Sequence, residues 1–361
     1  MARMTRRPLL HRHWPALADT LPYLPLGSGP TPVRPLTGPG SRTPVWVKDE
    51  SGYGEGGWGG NKVRKLEWLL PQALRGGGPR TLLSVGGLGT NWGLAAALYA
   101  REQGIDVALA LIDQPVDAHV RAQLARLRAS GATLHFPHTK GRLILSLPWL
   151  LARHTRGLRL PYVLPAGGSS PLGTLGYVEC ALELAEQVEE GLLPEPAWIV
   201  TAVGSGGTAA GLALGLRLAG LRTRVLAVVV NDTLRLDAAR LTALAGKAER
   251  LLRARGAELP PTPVRLGPED IVTEYGWLGE GYAHPTEPGA RALRWAAEEA
   301  DLELEPVYTA KALAALLALA GEGAEGAEGA EELGGAEGTE GCFGGGPVVF
   351  LNTFGPRPDG S

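Results

Sequence analysis

The sequence predicts an α/β protein built from two doubly wound lobes with parallel sheets. Short apolar runs alternate with longer helical patterns over most of the 361 residues. Strand–helix alternation of this kind is typical of parallel sheets covered by helices on both faces. The alternation occurs in two blocks, which meet near residue 165. Two blocks indicate two lobes with a cleft between them, and ligands of such sheets bind beyond the carboxyl ends of the strands.

The first block predicts the smaller sheet. Its short apolar runs are interpreted as buried strands at 80–85, 106–112, 133–136 and 162–164. The helical patterns between these strands cover 91–103, 117–130 and 142–154.

The second block predicts the larger sheet in the same way. Its strands are expected at 197–202, 224–230 and 347–352. Its helices are expected at 174–190, 208–219, 234–255 and 287–300. The loops after residues 85 and 202 therefore lie where a ligand is expected.

Composition excludes several classes of protein. The formal net charge of −2 gives no field that would attract nucleic acid or an anionic membrane. Cys180 and Cys342 lie outside any C-x-x-C pattern, so we predict neither a disulfide framework nor a metal site. The basic residues 1–15 lack the apolar run of a secretion signal. We interpret them as a poorly ordered start of a cytoplasmic protein.

Two segments have unusual composition. Residues 197–220 carry one charge, Arg217, over a length that could span a bilayer. Their internal GSGGT favours a buried strand, a glycine turn and a buried helix over a membrane span. Residues 321–346 contain seven glutamates and no basic residue, and we expect a solvated, flexible insertion.

The first candidate site lies in GGWGGNKVRKLEWLL, residues 56–70. Lys62 stands at the first turn of the helix that this pattern predicts. A helix N-terminus disfavours a cation, which lowers the pKa of the amine and favours Schiff-base formation. Lys65 follows on the same helical face. Alone, the pattern is more typical of a solvated lysine after a flexible loop.

The second candidate site lies in SVGGLGTNWGLAAAL, residues 84–98. Thr90 and Asn91 open a helix whose free N–H groups form an anion site for a carboxylate or phosphate. Thr90 offers a hydroxyl, and Asn91 offers an amide that can bond a ring hydroxyl. Both residue types are also common N-caps, so this pattern alone fits either role equally.

The third candidate site is the glycine loop VGSGGTAAGLALG, residues 203–215. It lacks the P-loop lysine and the spacing of a dinucleotide-binding motif. A nest of its N–H groups can still grip one phosphate, with the hydroxyls of Ser205 and Thr208. Glycine loops also serve close packing alone.

Together, one lysine, one carboxylate-sized anion site and one single-phosphate cradle are the components of a pyridoxal-phosphate enzyme. At these motifs the sequence resembles the fold-type II pyridoxal-phosphate enzymes of the 1-aminocyclopropane-1-carboxylate deaminase and D-cysteine desulfhydrase family. The resemblance runs from about Pro44 to Gly355, and its most specific motif is GGNKVRKLE at 59–67. It implies two lobes of the tryptophan synthase β-like kind.

The resemblance also implies which residues bind the cofactor. The family's Schiff-base lysine falls on Lys62, and a second lysine near the cofactor falls on Lys65. The ring-binding turn VGGLGTN includes Asn91, and VVFLNTFG places Thr353 near the pyridine nitrogen. The phosphate loop SGGTAAG and the residue before it correspond to Gly204, Ser205, Gly206, Gly207 and Thr208.

Further motifs of the family concern the substrate. GYAHP at 281–285 places an active-site tyrosine on Tyr282, and PAGGSSPLGTLGYV at 165–178 joins the two lobes. EPVYTAKAL at 305–313 resembles another signature. The resemblance implies that Lys62 carries protons with Thr90 and Tyr282 as hydroxyl partners. It also implies substrate contacts from Thr90, Asn91 and Trp92.

The chain departs from the family where it should face the substrate. It has Gly-Thr-Asn at 89–91 where Gln-Ser-Asn is usual, so a glutamine that helps to hold a substrate carboxylate is absent. Trp92 follows where a smaller or more polar residue is usual, and we expect Trp58 and Trp92 to line the pocket. Ala283 replaces a glycine, and Asn-Thr-Phe at 352–354 replaces His-Thr-Gly. These changes put opening of a cyclopropane ring in doubt.

The resemblance implies elimination from a small amino acid and hydrolysis of the imine product, which gives a 2-oxo acid and ammonia, and sulfide from cysteine. One alternative is β-replacement or racemisation with the same cofactor. Another is a protein that binds pyridoxal phosphate without turnover. We further expect a homodimer, with a small lobe at 63–165 and a large lobe formed by 1–62 and 166–361.

Overall fold

A computed structural model of the protein describes residues 7–36, 43–75, 80–321, 343 and 345–357. Most of the acidic insertion expected at 321–346 lies outside these residues. The strands are β1 Val33–Leu36, β2 Val45–Asp49, β3 Gly59–Gly60, β4 Leu82–Gly87, β5 Val107–Ile112, β6 Thr133–His138, β7 Tyr162–Leu164, β8 Trp198–Val203, β9 Arg224–Val229, β10 Ile271–Glu274, β11 Val348–Asn352 and β12 Phe354–Gly355.

Helices alternate with these strands, as the sequence predicts. They are α1 Leu9–His13, α2 Leu17–Thr20, α3 Asn61–Leu74, α4 Asn91–Glu102, α5 Ala118–Ala129, α6 Lys140–Arg153, α7 Pro171–Glu189, α8 Gly207–Leu218, α9 Ala238–Ala254, α10 Glu287–Glu299 and α11 Thr309–Leu319. A short 3₁₀ turn, Ala166–Gly168, precedes α7.

Side-chain caps set where several helices begin. Asp237 accepts the N–H of Arg240, so α9 begins at Ala238 and not at the predicted residue 234. Ser170 caps α7 and is followed by Pro171, a residue suited to a first helical position, which starts this helix before residue 174. The expected helices were otherwise placed within a few residues of their observed bounds.

The smaller sheet has the strand order β6-β5-β4-β7, and all its pairs are parallel. Apolar residues of α3, α4 and α5 pack on one face. On the other face α6 packs through Leu150 against Leu83 and Ala108. The outward side of α6 exposes Ile144 and Leu145.

The larger sheet has the order β1-β2-β11-β8-β9-β10. Helices α7, α8 and α9 pack on one face and α10 and α11 on the other. The prediction of doubly wound α/β lobes with parallel sheets is confirmed, and the larger sheet adds one antiparallel edge, where β1 runs antiparallel to β2. The N-terminal β1 and β2, together with β10 and α11, escaped the sequence analysis.

The segment of membrane-span length, 197–220, forms β8, a glycine turn and α8. This is the strand, turn and helix that the GSGGT interruption predicts. Among the residues that the structure describes, no helix is both long enough and apolar enough to cross a bilayer.

The expectation of a poorly ordered start is wrong for α1. The backbone N–H groups of Leu9 and Leu10 donate to the carboxylate of Glu179, at 2.5 and 3.0 Å. Both leucine side chains are buried. A buried carboxylate needs hydrogen-bond donors, and the two N–H groups at the start of α1 supply them.

A buried ionic cluster of Lys48, Glu50, Arg64 and Glu183 ties β2 and the residue after it to α3 and α7. Arg64 bonds Glu50 at 2.5 Å and Glu183 at 2.9 Å, and Lys48 bonds Glu183 at 2.8 Å. Burial alone would raise the pKa of Glu50 and Glu183, but the neighbouring cations hold both carboxyl pKa values below the ordinary range. The cluster fixes α3, the helix that carries Lys62.

Candidate active site

A cleft lies beyond the carboxyl ends of β4 and β8, at the two loops where the sequence predicts a ligand. It holds about 930 Å³ of space between atoms, including the part open to solvent. Of the residues given a role above, all line this cleft except Gly207. These lining residues are Lys62, Lys65, Thr90, Asn91, Trp92, Gly204, Ser205, Gly206, Thr208, Tyr282 and Thr353.

Lys62 enters the cleft from the first turn of α3. The helix is anchored because β3 pairs antiparallel with β12, and Gly60 has a φ of +84°. A side chain at Gly60 would lie 2.5 Å from the carbonyl oxygen of Thr353. Burial lowers the pKa of the Lys62 amine to about 8, while Glu305 acts in the opposite direction. The sequence correctly predicted that the pKa of Lys62 is lowered, and burial is the main cause.

Lys65 lies one turn further along α3. Its Nζ donates to the carbonyl oxygen of Gly167 at 3.2 Å. Burial, followed by repulsion from Lys62, holds the pKa of Lys65 well below the ordinary value. A Cβ at Gly207 would lie 3.2 Å from this Nζ, so the amine sits at the start of α8.

The glycine loop opens α8 without a side-chain cap. Gly206 has a φ of +90°, which favours glycine. The first N–H groups of a helix have no partner within it, and here Gly207 donates to Ser169 Oγ at 2.9 Å. Ser169 Oγ lies 2.8 Å from Ser205 Oγ. These hydroxyls, the helix N-terminus and the Lys65 amine fit a single phosphate group.

Ser169 was missed as a site residue. It lies in the motif at 165–178, which the sequence analysis used only as a join between the lobes. Its hydroxyl contacts both Ser205 and the first residue of α8. The two adjacent serines of GGSS were the sequence feature that could have indicated Ser169 as a site residue.

The opposite wall of the cleft is the start of α4. Thr90 is the N-cap, and its Oγ1 accepts the N–H of Gly93 at 3.1 Å. Asn91 Oδ1 accepts a hydrogen bond from Gln123 Nε2 at 2.5 Å. The Trp92 indole N–H donates to Ser84 Oγ at 2.9 Å, so this side chain presents carbon to the cleft.

Two tyrosines share one hydrogen bond in the cleft. Tyr282 Oη and Tyr308 Oη are 2.7 Å apart. Burial raises the pKa of both phenols, and that of Tyr308 lies well above the ordinary value. Both therefore keep their protons at neutral pH. Tyr308 was missed, although it belongs to the EPVYTAKAL motif.

Glu305 was also missed. Its buried carboxylate accepts the N–H groups of Val307, Tyr308 and Thr309 at 2.6 to 2.9 Å, just before α11. Burial is the main cause that raises its pKa, and the three N–H donors oppose the shift. Glu305 lines the cleft and acts electrostatically on Lys62.

The remaining wall combines residues from distant parts of the chain. The rings of Trp58 and Phe354 meet edge to face with centroids 6.1 Å apart. Both line the cleft, as does Thr353 between β11 and β12. Trp58 and Trp92 line the pocket, as the sequence predicts. Phe354 thus gives the loop that carries Trp58 an apolar contact.

An amine with a lowered pKa and a single-phosphate cradle with a second amine occupy one cleft between two α/β sheets. This combination defines an enzyme that binds a phosphorylated carbonyl cofactor. A family model described as pyridoxal-phosphate-dependent enzyme matches residues 24–328. The chain belongs to this family, which confirms the predicted cofactor class.

Individual relatives support the resemblance seen in the motifs. The chain is 33% identical to a D-cysteine desulfhydrase of Serratia proteamaculans over 269 residues, covering 72% of this chain and 76% of the relative. It is 34% identical to a D-cysteine desulfhydrase of Salmonella newport over 268 residues, with the same coverage of 72% and 76%. The predicted family membership is confirmed.

Solved structures agree with the fold. An ACC deaminase homologue superposes with a TM-score of 0.74 at 28% identity, covering 97% of this chain and 95% of that chain. A T.th. threonine deaminase gives a TM-score of 0.53 at 21% identity, covering 88% of this chain and 89% of that chain. The second likeness concerns the fold alone.

Proposed function

We propose that the protein is a pyridoxal-phosphate-dependent lyase that deaminates a small amino acid. The products would be a 2-oxo acid and ammonia, with sulfide when the substrate is cysteine. The observation that carries this proposal is the placement of Lys62 in one cleft with the anion-binding start of α8. The names of the relatives, D-cysteine desulfhydrase and ACC deaminase homologue, support this substrate class.

The cofactor would be held at four points. The 204–208 loop, Ser169 and Lys65 would hold the phosphate, and Lys62 would hold the aldehyde carbon. We assign the ring oxygen to Asn91 and the pyridine nitrogen to the neighbourhood of Thr353. When bound, pyridoxal phosphate serves as an electron sink for the carbanion that forms at the substrate α-carbon.

The amine of Lys62 is suited to carry the α-proton. With a pKa of about 8, roughly a tenth of it is neutral at pH 7, far more than for an ordinary lysine. Burial raises the pKa of both tyrosines, so both stay protonated at neutral pH, and Tyr282 has a proton to give to a leaving group when Tyr308 donates to Tyr282. Thr90 accepts an N–H through Oγ1 and still has its own hydroxyl proton to donate.

The substrate carboxylate would dock at the start of α4, where helix N–H groups face the cleft. The glutamine usual in this turn is absent, and Gln114 approaches from the loop after β5. Its Oε1 accepts the N–H of Gly89 at 3.2 Å. With Trp92 presenting carbon, the substrate end of the cleft is more apolar than the family pattern implies.

We also propose the division into a small lobe, 63–165, and a large lobe, 1–62 with 166–361. The four strands of the smaller sheet lie within 82–164, which supports it. For the homodimer, the support is the outward side of α6, where Ile144, Leu145 and Trp149 are 65%, 82% and 55% exposed. Light scattering of a Leu145→Asp variant tests this interface. A cytoplasmic location stays a prediction.

A product assay tests the proposed reaction. The purified protein with added pyridoxal phosphate is incubated with the D- and L-forms of cysteine and serine, and with aminocyclopropane carboxylate. Release of 2-oxo acid from any of them supports the lyase. Inverted stereochemistry without 2-oxo acid would favour the racemase alternative, and exchange of the β-substituent would favour β-replacement. Cofactor binding with no product from any substrate would favour a binding protein.

Cofactor attachment is tested separately. Borohydride reduction should fix the cofactor on the peptide that carries Lys62. Lys65 provides the internal control, because it lies one turn further along the same helix and lines the same cleft. A label on Lys65, or no uptake of cofactor, would contradict the assignment.

A further inference from the structure

Asn91 is linked to the surface of α5 by a chain of two hydrogen bonds. Gln123 Nε2 donates to Asn91 Oδ1 at 2.5 Å. Arg126 Nη1 donates to Gln123 Oε1 at 3.0 Å. Gln123 is fully buried, and Arg126, three residues later, lies on the same side of α5. These two hydrogen bonds therefore connect a half-buried cation, Arg126, to the wall of the cleft.

Only one assignment of donors and acceptors is compatible with these two hydrogen bonds. A guanidinium group only donates hydrogen bonds. Gln123 must therefore turn its oxygen toward Arg126 and its NH₂ group toward Asn91. Asn91 must in turn accept through Oδ1, which leaves its Nδ2 group as the free end of the amide. An amide that alone could adopt two orientations is held in one.

Arg126, the first donor of these two hydrogen bonds, is itself held in place. The Arg126 guanidinium carbon lies 5.7 Å from the ring centroid of Trp58, over its face. Trp58 is almost fully buried and packs against Phe354. The loop that carries Trp58 thus contacts Arg126, the residue that sets the direction of the hydrogen bonds.

We propose that Gln123, under the control of Arg126, is a positioning residue that makes Asn91 a hydrogen-bond donor toward the ring oxygen of the cofactor. This inference rests on the proposed function, since it needs pyridoxal phosphate in the cleft. A donor at this oxygen stabilises its anionic form, and an acceptor there destabilises it. Gln123 never touches the cofactor and acts only through the amide of Asn91.

Gln123→Glu is the informative substitution because it preserves shape and reverses the hydrogen bond. A glutamate accepts from Arg126 and also from Asn91, so Asn91 turns its Nδ2 group to position 123 and its oxygen to the cleft. The bound cofactor should then lose visible absorbance, which needs an anionic ring oxygen, and gain near-ultraviolet absorbance. We expect affinity for pyridoxal phosphate to fall about 10- to 100-fold, the range for a hydrogen bond to a charged group. Gln123→Met, which frees the Asn91 amide to rotate, should give a smaller change.

Two controls separate positioning from other effects. In an Asn91→Ala background, Gln123→Glu should no longer change the ratio of visible to near-ultraviolet absorbance. A direct effect of the new charge, or a general loosening of α5, would persist in that background. Gln103→Glu adds the same charge at the other end of α4 and should leave the ratio unchanged.

The experiment compares absorbance spectra and cofactor affinity for the parent protein, the Gln123 variants and the Asn91→Ala pairs. A lower ratio in Gln123→Glu that vanishes with Asn91→Ala supports the inference. An unchanged ratio, or an equal change with and without Asn91, overturns it while the parent protein still binds cofactor at Lys62. A parent protein that takes up no pyridoxal phosphate overturns the proposed function and this inference with it.

Discussion

Tyr282 and Tyr308 reach the cleft from different elements and share a hydrogen bond of 2.7 Å between their hydroxyls. Tyr282 lies in the turn before α10, and Tyr308 is the residue before α11. Since both phenols stay protonated at neutral pH, one hydroxyl must donate to the other. The proton of the remaining hydroxyl can then be given to a substrate.

Tyr282→Phe should reduce the rate of elimination about 10²- to 10⁴-fold, the usual contribution of general acid–base catalysis. The substitution removes one oxygen and little volume, so folding and cofactor uptake should persist. Tyr275→Phe is a matched control, because this half-exposed tyrosine bonds a backbone carbonyl at 3.3 Å outside the cleft. Parent-like turnover by both Tyr282→Phe and Thr90→Val would leave Lys62 as the sole proton carrier.

The pH dependence of cofactor uptake should follow Lys62. Its folded pKa of about 8 lies below the ordinary lysine value, so the reactive neutral amine accumulates as pH rises through 8. Uptake of pyridoxal phosphate by cofactor-free protein should accelerate over that range and level off above it. Stopped-flow absorbance measures the rate at each pH.

Glu305→Gln should move this pH profile downward. The carboxylate of Glu305 acts to raise the pKa of Lys62, and the neutral amide removes that effect. The amide oxygen can still accept the N–H groups before α11. Glu303→Gln is the control, since Glu303 is exposed and two residues away. A midpoint that stays at the parent pH in Glu305→Gln contradicts the assigned electrostatic role.

The buried ionic cluster should dominate stability. Glu183→Gln leaves Arg64 and Lys48 without part of their compensation, and we expect a loss of about 3–5 kcal/mol in the free energy of unfolding. Glu186→Gln breaks the exposed pair with Arg12 and should cost about 0–1 kcal/mol. Urea titration compares the two variants. Similar midpoints would show that the cluster contributes no more than a surface pair.

The same cluster sets the acid limit of the fold. The folded pKa values of Glu50 and Glu183 are depressed, so the stabilisation is present above the ordinary carboxyl value of 4.5. It is lost as pH falls below that value toward the folded pKa values. Circular dichroism against pH should show the Glu183→Gln variant unfolding with a weaker dependence on pH in this acid range.

Ala283→Gly should stabilise the protein slightly. Ala283 has a φ of +70°, in the left-handed region, at the position where glycine is usual in the family. Relief of this backbone conformation contributes about 1–2 kcal/mol, and the extra freedom of glycine in the unfolded chain costs about 0.4–1 kcal/mol. The net gain should be about 0.5–1 kcal/mol by thermal or urea unfolding. A destabilised variant would show that the methyl group packs better than its φ indicates.

The sequence predicted the parts of the fold that depend on local pattern. Apolar runs of strand length and helical periodicity located both sheets, and glycine turns marked the loops at the cleft. The strand β2 escaped because Lys48 and Asp49 interrupt its apolar pattern. The charge of Lys48 is compatible with a strand inside the sheet because Lys48 pairs with Glu183, which is 135 residues away in the chain. Such a partner is invisible to a local pattern.

Site residues divide in the same way. Lys62 and the 204–208 loop lie in motifs whose spacing carries the chemistry. Glu305 is the first residue of the EPVYTAKAL motif, but its action on Lys62 depends on a contact made only after folding. Gln123 lies within α5, where a lone amide has no distinguishing pattern. The sequence left two roles open for Thr90, as an N-cap or as part of an anion site. The hydrogen bond from Gly93 N–H to Thr90 Oγ1 shows that Thr90 caps α4.

The order of strands in the larger sheet affects how the protein can form during synthesis. β11, at residues 348–352, lies between β2 and β8 and pairs with both. The strands of the smaller sheet, in contrast, are contiguous between residues 82 and 164. On the ribosome the smaller sheet can therefore assemble early, while β2 and β8 must wait for a strand that is translated after the other described strands of their sheet. During that interval the edges of β2 and β8 lack the partner that β11 supplies, and unpaired strand edges are prone to pair with other chains.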